Sequence, residues 1–311
     1  MKKLPFVLVL LMVAVSVRAQ QVATYSQYMF NTLAINPAYA GSHQSLSATA
    51  LARFQNVGMP GAPTTQTFSA HSPIANKRMS LGFLVVHDKI SIFSQSGINA
   101  IYAYRIPVSV GSEGFLSFGI QGGLSLYSAE YSSLDVYSNL NPNLSPDPAF
   151  SGDIRASRPN IGAGIYYSSK HAYLGLSAPH LINNVFDRGP DFETVYQNKP
   201  FILNGGYVFE INRMLKLKPN FLMQFIDGQP IEFDINANLL IDEVVWVGAS
   251  YKSSQQVVAM TQIQITDQLQ FGYSYTITAG PIRVVELGSH EAMLNYRFKF
   301  HKKGVITPRY F

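Results

Sequence analysis

The sequence of 311 residues contains no cysteine and one tryptophan, and charged residues make up only 13% of it. The absence of cysteine excludes disulfide bonds and thiolate metal sites, and it is compatible with an oxidising compartment. Soluble globular domains carry about 25% charged residues, so this chain has too few charges to cover a water-exposed surface. Because aromatic residues reach 13%, an excess of apolar surface has to face something other than water.

The start of the chain has the pattern of a secretory signal peptide. Two lysines precede an apolar run over residues 4–17, and Val17-Arg18-Ala19 resembles a small-residue cleavage site. We expect residues 1–19 to be removed. A retained membrane anchor is the competing interpretation, but the run is short because a spanning helix needs about 20 apolar residues.

Removal of the signal takes away three cationic residues and lowers the formal net charge from +5 to +2. The rest of the chain has no basic run of the kind that follows a phosphate backbone. The sequence therefore predicts no nucleic-acid partner.

After the signal, no apolar run is long enough for a spanning helix, so apolar surface must be displayed in short alternating pieces. Alternation with period two is clear over residues 116–126, 231–239, 269–277 and 294–300, where the polar set is mainly Ser, Gln, Asn and Gly. A soluble β-sandwich also alternates, but it places many Lys and Glu on its water-facing side. The pattern predicts an all-β fold, a transmembrane antiparallel β-barrel in contact with outer-membrane lipid.

The alternating segments number about fourteen, an even number as bacterial barrels require. The predicted strands lie near residues 45–56, 64–74, 79–88, 95–106, 114–127, 159–168, 171–178, 201–211, 214–225, 231–241, 243–252, 255–265, 268–277 and 290–300. Both long connections, 128–158 and 179–200, fall in the set that faces outward if the termini are periplasmic. We therefore expect an outer-membrane location with periplasmic termini.

Residues 20–44 precede the first predicted strand and contain Asn36-Pro37, which does not suit a strand because proline cannot donate to a ladder. We expect an N-terminal plug or periplasmic segment there, followed by a barrel over 45–300 and a tail over 301–311. The segment's apolar side chains would form an exposed patch at the periplasmic mouth unless they contact a partner or pack the lumen. The candidate partner-binding residues are Tyr25, Tyr28, Met29, Phe30 and Tyr39.

No catalytic, cofactor or metal site is predicted. The seven histidines lack metal-ligand spacing, and there is no nucleophile elbow, phosphate-binding loop or zinc-protease motif. Ser289-His290-Glu291 could be imagined in a hydrolytic site, but three consecutive residues point in different directions and cannot form a triad alone. Acidic residues in the two long connections could bind calcium, although solvated loops explain them better.

Charged residues also fall on the polar faces of the predicted strands. We expect them to pair across the lumen rather than line an open channel. They are Glu210, Lys216, Lys218, Glu232, Asp234, Arg297 and Lys299.

The motif Tyr25-Ser26-Gln27-Tyr28-Met29-Phe30-Asn31, with Asn36-Pro37-Ala38-Tyr39-Ala40-Gly41, resembles the PorP/SprF family of type IX secretion outer-membrane proteins from Bacteroidota. Further blocks occur in the family's order across nearly the whole mature chain. They are 61–73, 103–106, 179–181, 246–251, 272–275 and 288–294. One departure is Asn56, where the family pattern has an aromatic residue.

The resemblance implies a non-enzymatic protein that helps secrete or retain surface proteins such as gliding adhesins with a C-terminal sorting domain. It also implies association with the periplasmic lipoprotein ring of the secretion machinery. The alternative is a transport barrel, either a porin or a carrier of hydrophobic solutes, which uses a similar fold.

Overall fold

The computed structural model describes residues 25–43, 45–74, 78–108, 114–133, 152–182, 185–186, 195–196, 199–279 and 286–298. Almost all of the ordered backbone in this part of the chain is antiparallel β-strand. Its three helices are single 3₁₀ turns, at Thr32–Ala34, Pro37–Tyr39 and Tyr131–Ser133. The described residues contain no helix with the length and hydropathy of a membrane span.

The strands are numbered here in chain order. They are β1 (Ser47–Phe54), β2 (Thr64–Pro73), β3 (Met79–Ile90), β4 (Phe93–Pro107), β5 (Phe115–Ala129), β6 (Ile154–Ser168), β7 (Ala172–Ala178), β8 (Val185–Phe186), β9 (Val195–Tyr196), β10 (Phe201–Tyr207), β11 (Phe209–Glu210), β12 (Leu215–Phe225), β13 (Glu232–Ile241), β14 (Val245–Lys252), β15 (Gln256–Gln264), β16 (Leu269–Thr278) and β17 (Ser289–Arg297).

The sheet closes on itself as a barrel. From β1 to β7 and from β11 to β17 each strand pairs with the next one in the chain, β1 pairs with β17, and β10 pairs with both β7 and β12. Because β10 and β11 form one wall strand interrupted at Val208, and the β8–β9 hairpin stands apart, the described wall has fourteen strands. The predicted all-β barrel and its strand number are confirmed. The β8–β9 hairpin, inside the long connection 179–200, was not predicted.

The two faces of the wall have opposite chemistry. On β5, Ile120 and Leu124 point outward and are 60% and 52% exposed, whereas Gln121 and Ser125, each the next residue along the strand, are buried inside. The same alternation holds on β13 and β16. A wall with large apolar side chains on its outside and buried polar side chains on its inside is typical of a barrel that has lipid around it and a polar lumen.

The connections alternate between the two ends of the barrel, and both long ones fall at the same end, as predicted. The turns after β2, β4, β6, β11, β13 and β15 lie at the end of the barrel where β1 begins and β17 ends, which we call the short-turn end. The connections 130–153 and 179–200 lie at the opposite end, called here the long-loop end. Most residues of these two long connections lie outside the described part of the chain.

Replacing Ile120 by arginine should impair barrel assembly, because this outward side chain lies in the middle of a fifteen-residue strand. The expected destabilisation is about 2–4 kcal/mol near the bilayer midplane. Heat-modifiable migration and urea unfolding in lipid measure it. Ile120→Leu should behave as wild type, and an Ile120→Arg barrel of wild-type stability would show that this face does not meet lipid.

A protease added to intact cells should cut within 130–153 or 179–200 and spare the turn at Asp242-Glu243, because exposed long loops are the preferred cleavage sites. Lysed cells should add cleavage at the short-turn end. Cutting at Asp242-Glu243 in intact cells would mean that the barrel is inserted the other way round.

Candidate functional site

Residues 25–43, called here the lumenal segment, lie inside the barrel. Tyr28 and Asn36 are fully buried, and hydrogen bonds join the segment to β1, β2, β4, β6, β7, β13, β16 and β17. The contacts are distributed around the barrel wall. The segment therefore occupies the lumen at the height of these contacts.

The segment folds into two 3₁₀ turns rather than a strand because of its own residues. The Asn36 side chain accepts a hydrogen bond from the backbone N–H of Ala38 at 2.9 Å and caps the second turn. Pro37 follows at the first helical position, where its missing N–H costs nothing. The expectation that this segment is not a regular strand is confirmed.

Near the long-loop end, Glu291 of β17 holds the start of the segment. Its two carboxylate oxygens accept the backbone N–H groups of Ser26 at 2.9 Å and Gln27 at 2.8 Å. Arg53 of β1, directly opposite Glu291 in the ladder, donates to the same carboxylate at 3.3 Å and to the Ser26 hydroxyl at 3.1 Å. A buried carboxylate is tolerated because a guanidinium and two amides compensate it.

Three polar pairs hold the first turn of the segment against the wall. The Tyr25 hydroxyl lies 2.9 Å from the Thr67 hydroxyl, and the Ser69 hydroxyl donates to the side-chain oxygen Oδ1 of Asn31 at 2.8 Å. Asn236 of β13 donates to the Tyr28 hydroxyl at 2.7 Å. Burial raises the pKa of the Tyr25 and Tyr28 phenols, so both remain neutral hydrogen-bonding groups.

At the short-turn end, Gly41 is fixed from both sides. Its N–H donates to His71 Nδ1 at 3.1 Å, and Arg105 donates to its carbonyl at 2.6 Å. Gly41 has φ +74°, and a Cβ there would overlap the Ser80 side chain. Only glycine fits this position, because the backbone is left-handed and the space is already filled.

Glycines in the wall make room for the segment. A Cβ at Gly119 of β5 would lie 2.2 Å from the backbone nitrogen of Ala38, and one at Gly164 of β6 would lie 2.2 Å from the Asn36 side-chain oxygen. Gly272 of β16 approaches Gln27 in the same way. At Gly119 the neighbour is the segment's backbone, and at Gly164 and Gly272 it is a side chain of the segment, so these glycines leave space that a side chain on the strand would fill.

Lys218 of β12 is fully buried beside the segment. Its ammonium nitrogen lies 5.7 Å from the ring centroid of Phe30, 5.5 Å from that of Tyr173 and 5.7 Å from that of Trp246. Cation–π attraction is strong when the cation is desolvated, so these rings compensate part of the cost of burial. The sequence predicts that this lysine pairs with another charge across the lumen. The structure instead places it among three aromatic rings.

Other lumenal charges do pair with carboxylates. Lys216 binds Glu243 at the short-turn end, and Lys252 lies near Asp234 at the long-loop end. Arg297 contacts an amide rather than a carboxylate, since its guanidinium donates to the Gln270 side-chain oxygen at 3.3 Å. Glu210 instead lies half-exposed beside His171, and Lys299 is outside the described residues.

The five candidate partner-binding residues lie together in this segment. Four of them, Tyr25, Tyr28, Met29 and Tyr39, are at least 94% buried, and Phe30 is partly exposed. Tyr28 and Met29 belong to one apolar cluster and Tyr39 to a second, on the wall formed by β3, β4, β6 and β7. In this conformation the side chains face the barrel rather than an external surface, and a partner role for them stays a prediction.

The segment reaches further than the sequence indicated. We expected it at the periplasmic mouth, either inside the lumen or against a partner. Its last residues, near Gly41, lie at the short-turn end, and Ser26 lies level with Glu291 near the long-loop end. The buried carboxylate of Glu291 explains this position, because its two oxygens accept the backbone N–H groups of the successive residues Ser26 and Gln27.

The remaining motifs show no catalytic arrangement in the described residues. Ser289 and Glu291 point inward, while His290 lies against Tyr273 and Tyr275 on the outer side. His43 and His71 stack with ring centroids 5.3 Å apart, a pair that strand spacing could not reveal. No described group of three or more His, Asp or Glu is placed to hold a metal ion, and most acidic residues considered for calcium lie outside the described part.

Sequence reasoning missed the wall residues that hold the segment. Arg53, His71, Arg105 and Glu291 were read as strand or surface positions, yet each binds the segment's backbone or its Ser26 hydroxyl. The available signal was the set of glycines on inward strand positions. With the segment, these wall residues fall within or beside the blocks that carry the family resemblance.

Comparison with solved structures shows the fold. The CymD monoaromatic hydrocarbon channel is 10% identical with a TM-score of 0.51, covering 90% of this chain and 94% of that one. A Pseudomonas aeruginosa FadL homologue is 12% identical with a TM-score of 0.49 (88% and 94% covered), and Omp33 of Acinetobacter baumannii is 9% identical with a TM-score of 0.45 (83% and 100% covered). At these identities the likeness concerns the outer-membrane barrel alone.

No curated protein matches the chain in sequence. A family match, by contrast, extends over residues 17–296, which is most of the chain. The chain therefore belongs to the family described as "Type IX secretion system membrane protein PorP/SprF".

Proposed function

We propose that this barrel is a binding component of the type IX secretion and gliding machinery, which contacts the machinery's periplasmic lipoproteins and helps secrete or anchor a surface protein. The family is one of secretion-system membrane proteins and not of enzymes. The observation that carries the proposal is the lumenal segment, bound at both ends inside the barrel. A barrel filled in this way acts through its surfaces and its segment rather than as an open pore.

The segment is also the proposed partner element. Its aromatic side chains give a rigid, apolar surface of the kind enriched at interface cores. Because most of them are buried here, a partner gains access to them only when part of the segment leaves the wall. Phe30, the one partly exposed member, is the first contact in this proposal.

A transport barrel remains the alternative function, as a porin or a hydrophobic-solute carrier. The two functions make opposite demands on the lumen. Transport needs a continuous path, whereas a binding component needs none. Planar-bilayer recordings and affinity purification from cross-linked membranes therefore distinguish them.

Replacing both Tyr28 and Phe30 by alanine should leave a heat-modifiable barrel in the membrane but abolish surface delivery of the cognate adhesin or recovery of the lipoproteins. Surface labelling and affinity purification measure this. Phe118→Ala with Tyr167→Ala, two outward aromatics, serves as the matched control. Normal secretion by a folded, closed Tyr28→Ala/Phe30→Ala barrel would exclude the segment as the partner site.

Glu291→Ala should release the start of the segment, because it leaves Arg53 and two backbone amides buried without their carboxylate. Breaking a buried ion pair by removing one partner costs about 3–5 kcal/mol. We expect frequent conductance steps in planar bilayers, where the unmodified barrel stays closed. The control is Glu243→Ala, which removes a half-exposed carboxylate from the rim. An unmodified barrel that conducts steadily would favour the transport function.

A further inference from the structure

Three neighbouring turns at the short-turn end carry exposed apolar side chains. Ile211 and Met214, in the turn between β11 and β12, are 58% and 59% exposed. Val244, in the turn between β13 and β14, is 43% exposed, and Ile265, which follows β15, is 57% exposed. These four residues are called here the rim patch.

The rim patch is continuous because the backbones of the turns are hydrogen-bonded to one another. Asp242 donates its N–H to the Met214 carbonyl at 2.7 Å, and Gln264 donates its N–H to the Val244 carbonyl at 2.8 Å. Ile265 follows Gln264 directly. Neighbouring strands lie about 4.8 Å apart, so the patch covers roughly 15 Å of the rim between β12 and β15.

Lipid does not account for this patch. The outward stripe of β12 runs from Leu215 to Phe225, and ten residues of tilted strand already cover the roughly 25 Å of an apolar lipid band. Ile211 and Met214 lie beyond Leu215 and in the same turn as the charged Arg213. Irregular turns do not lie in the hydrocarbon region, so these apolar side chains stand at the water-facing rim, where such clusters mark contact sites.

The same turns and the strand ends beside them carry an excess of negative charge. Four carboxylates stand against two cations, which leaves a net charge of −2. One of each is already paired, since Lys216 binds Glu243. A segment that covers the patch therefore needs both apolar side chains and positive charge. The charged residues are Glu210, Arg213, Lys216, Asp242, Glu243 and Asp267.

Residues 299–311 of this chain lie outside the described part and follow β17, which ends at the same rim. Arg297 donates its N–H to the Gln268 carbonyl at 2.8 Å, which places the start of this segment beside the turn between β15 and β16. The segment has no acidic residue and combines positive charge with apolar side chains. Its cations are Lys299, Lys302, Lys303 and Arg309, and its aliphatic pair is Val305 and Ile306.

The length of the segment also fits. From β17 to β12 the rim crosses five strand spacings, about 24 Å in all. Thirteen extended residues span about 43 Å, and the first seven of them span about 23 Å. Extended along the rim, the segment passes its lysines beside Asp267 and Asp242 and brings Val305 to the neighbourhood of Met214.

We propose that residues 299–311 dock along the rim patch, with their lysines beside the carboxylates of the turns and with Val305 and Ile306 against Met214 and Ile211. A segment of the chain itself then covers the apolar surface of the short-turn end. This inference does not rest on the proposed function, because the occupant is part of the same chain.

The test is a disulfide cross-link in the full-length barrel reconstituted in phosphatidylcholine vesicles, since the chain has no cysteine of its own. Met214→Cys with Ile306→Cys should form an intramolecular disulfide on mild oxidation, detected by altered migration that a reductant reverses. The control pairs Ile306→Cys with Ile74→Cys. Ile74 is exposed at the same rim and lies only two strand spacings from β17, so an unbound segment would reach it more readily than Met214. We expect the control pair to cross-link about tenfold more slowly, because docking raises the effective concentration at Met214 alone.

Charge reversal gives a second measurement. Lys302→Glu with Lys303→Glu should slow the cross-link between positions 214 and 306 about fivefold, the loss of two surface ion pairs. The difference should disappear in about 1 M salt, which screens exposed charges. Lys170→Glu, in the turn between β6 and β7, is the control and should change nothing.

Heat-modifiable migration checks that each variant is folded, and Ile211→Cys replaces Met214→Cys if the latter does not fold. Equal cross-linking of the two pairs would show an unbound segment, and cross-linking of neither would place the segment elsewhere. Either result overturns the proposal. A disulfide-linked dimer would overturn it as well, in favour of a second copy of the chain as the occupant.

Discussion

The arrangement inside this barrel depends on one buried carboxylate. Glu291 accepts hydrogen bonds from two successive backbone amides of the lumenal segment and from Arg53 on the neighbouring strand. Because a charge in this environment is stable only when such donors surround it, wall and segment require each other. The carboxylate therefore fixes how far along the lumen the segment extends.

The same constraint explains the two-faced wall. Outward positions carry apolar side chains that suit lipid, so the inward positions are left to hold the polar groups and to receive the segment. Glycine at Gly119 and Gly164 lets the segment pack close to the sheet, and Gly41, near its end, has a conformation that other residues avoid. The segment then enters β1 at the short-turn end.

Much of this fold was predictable, because the two-residue period identifies each strand and its outward face directly. Alternation over 231–239 and 269–277 located β13 and β16 to within a residue or two, and the motif at Tyr25 indicated the family that the comparison shows. The site was less predictable. Arg53 and Glu291 are 238 positions apart, and only barrel closure, pairing the first strand with the last, brings them together.

The central claim is that residues 25–43 are bound inside the barrel at the positions described. Ser26 and Thr276 place their hydroxyl oxygens 3.3 Å apart, and the chain has no cysteine of its own. Cysteines introduced at Ser26 and Thr276 should form a disulfide on mild oxidation in intact membranes, detected by altered migration that a reductant reverses. The pair at Ser26 and the outward Ile277 should not. Equal cross-linking of both pairs, or of neither, would contradict the account.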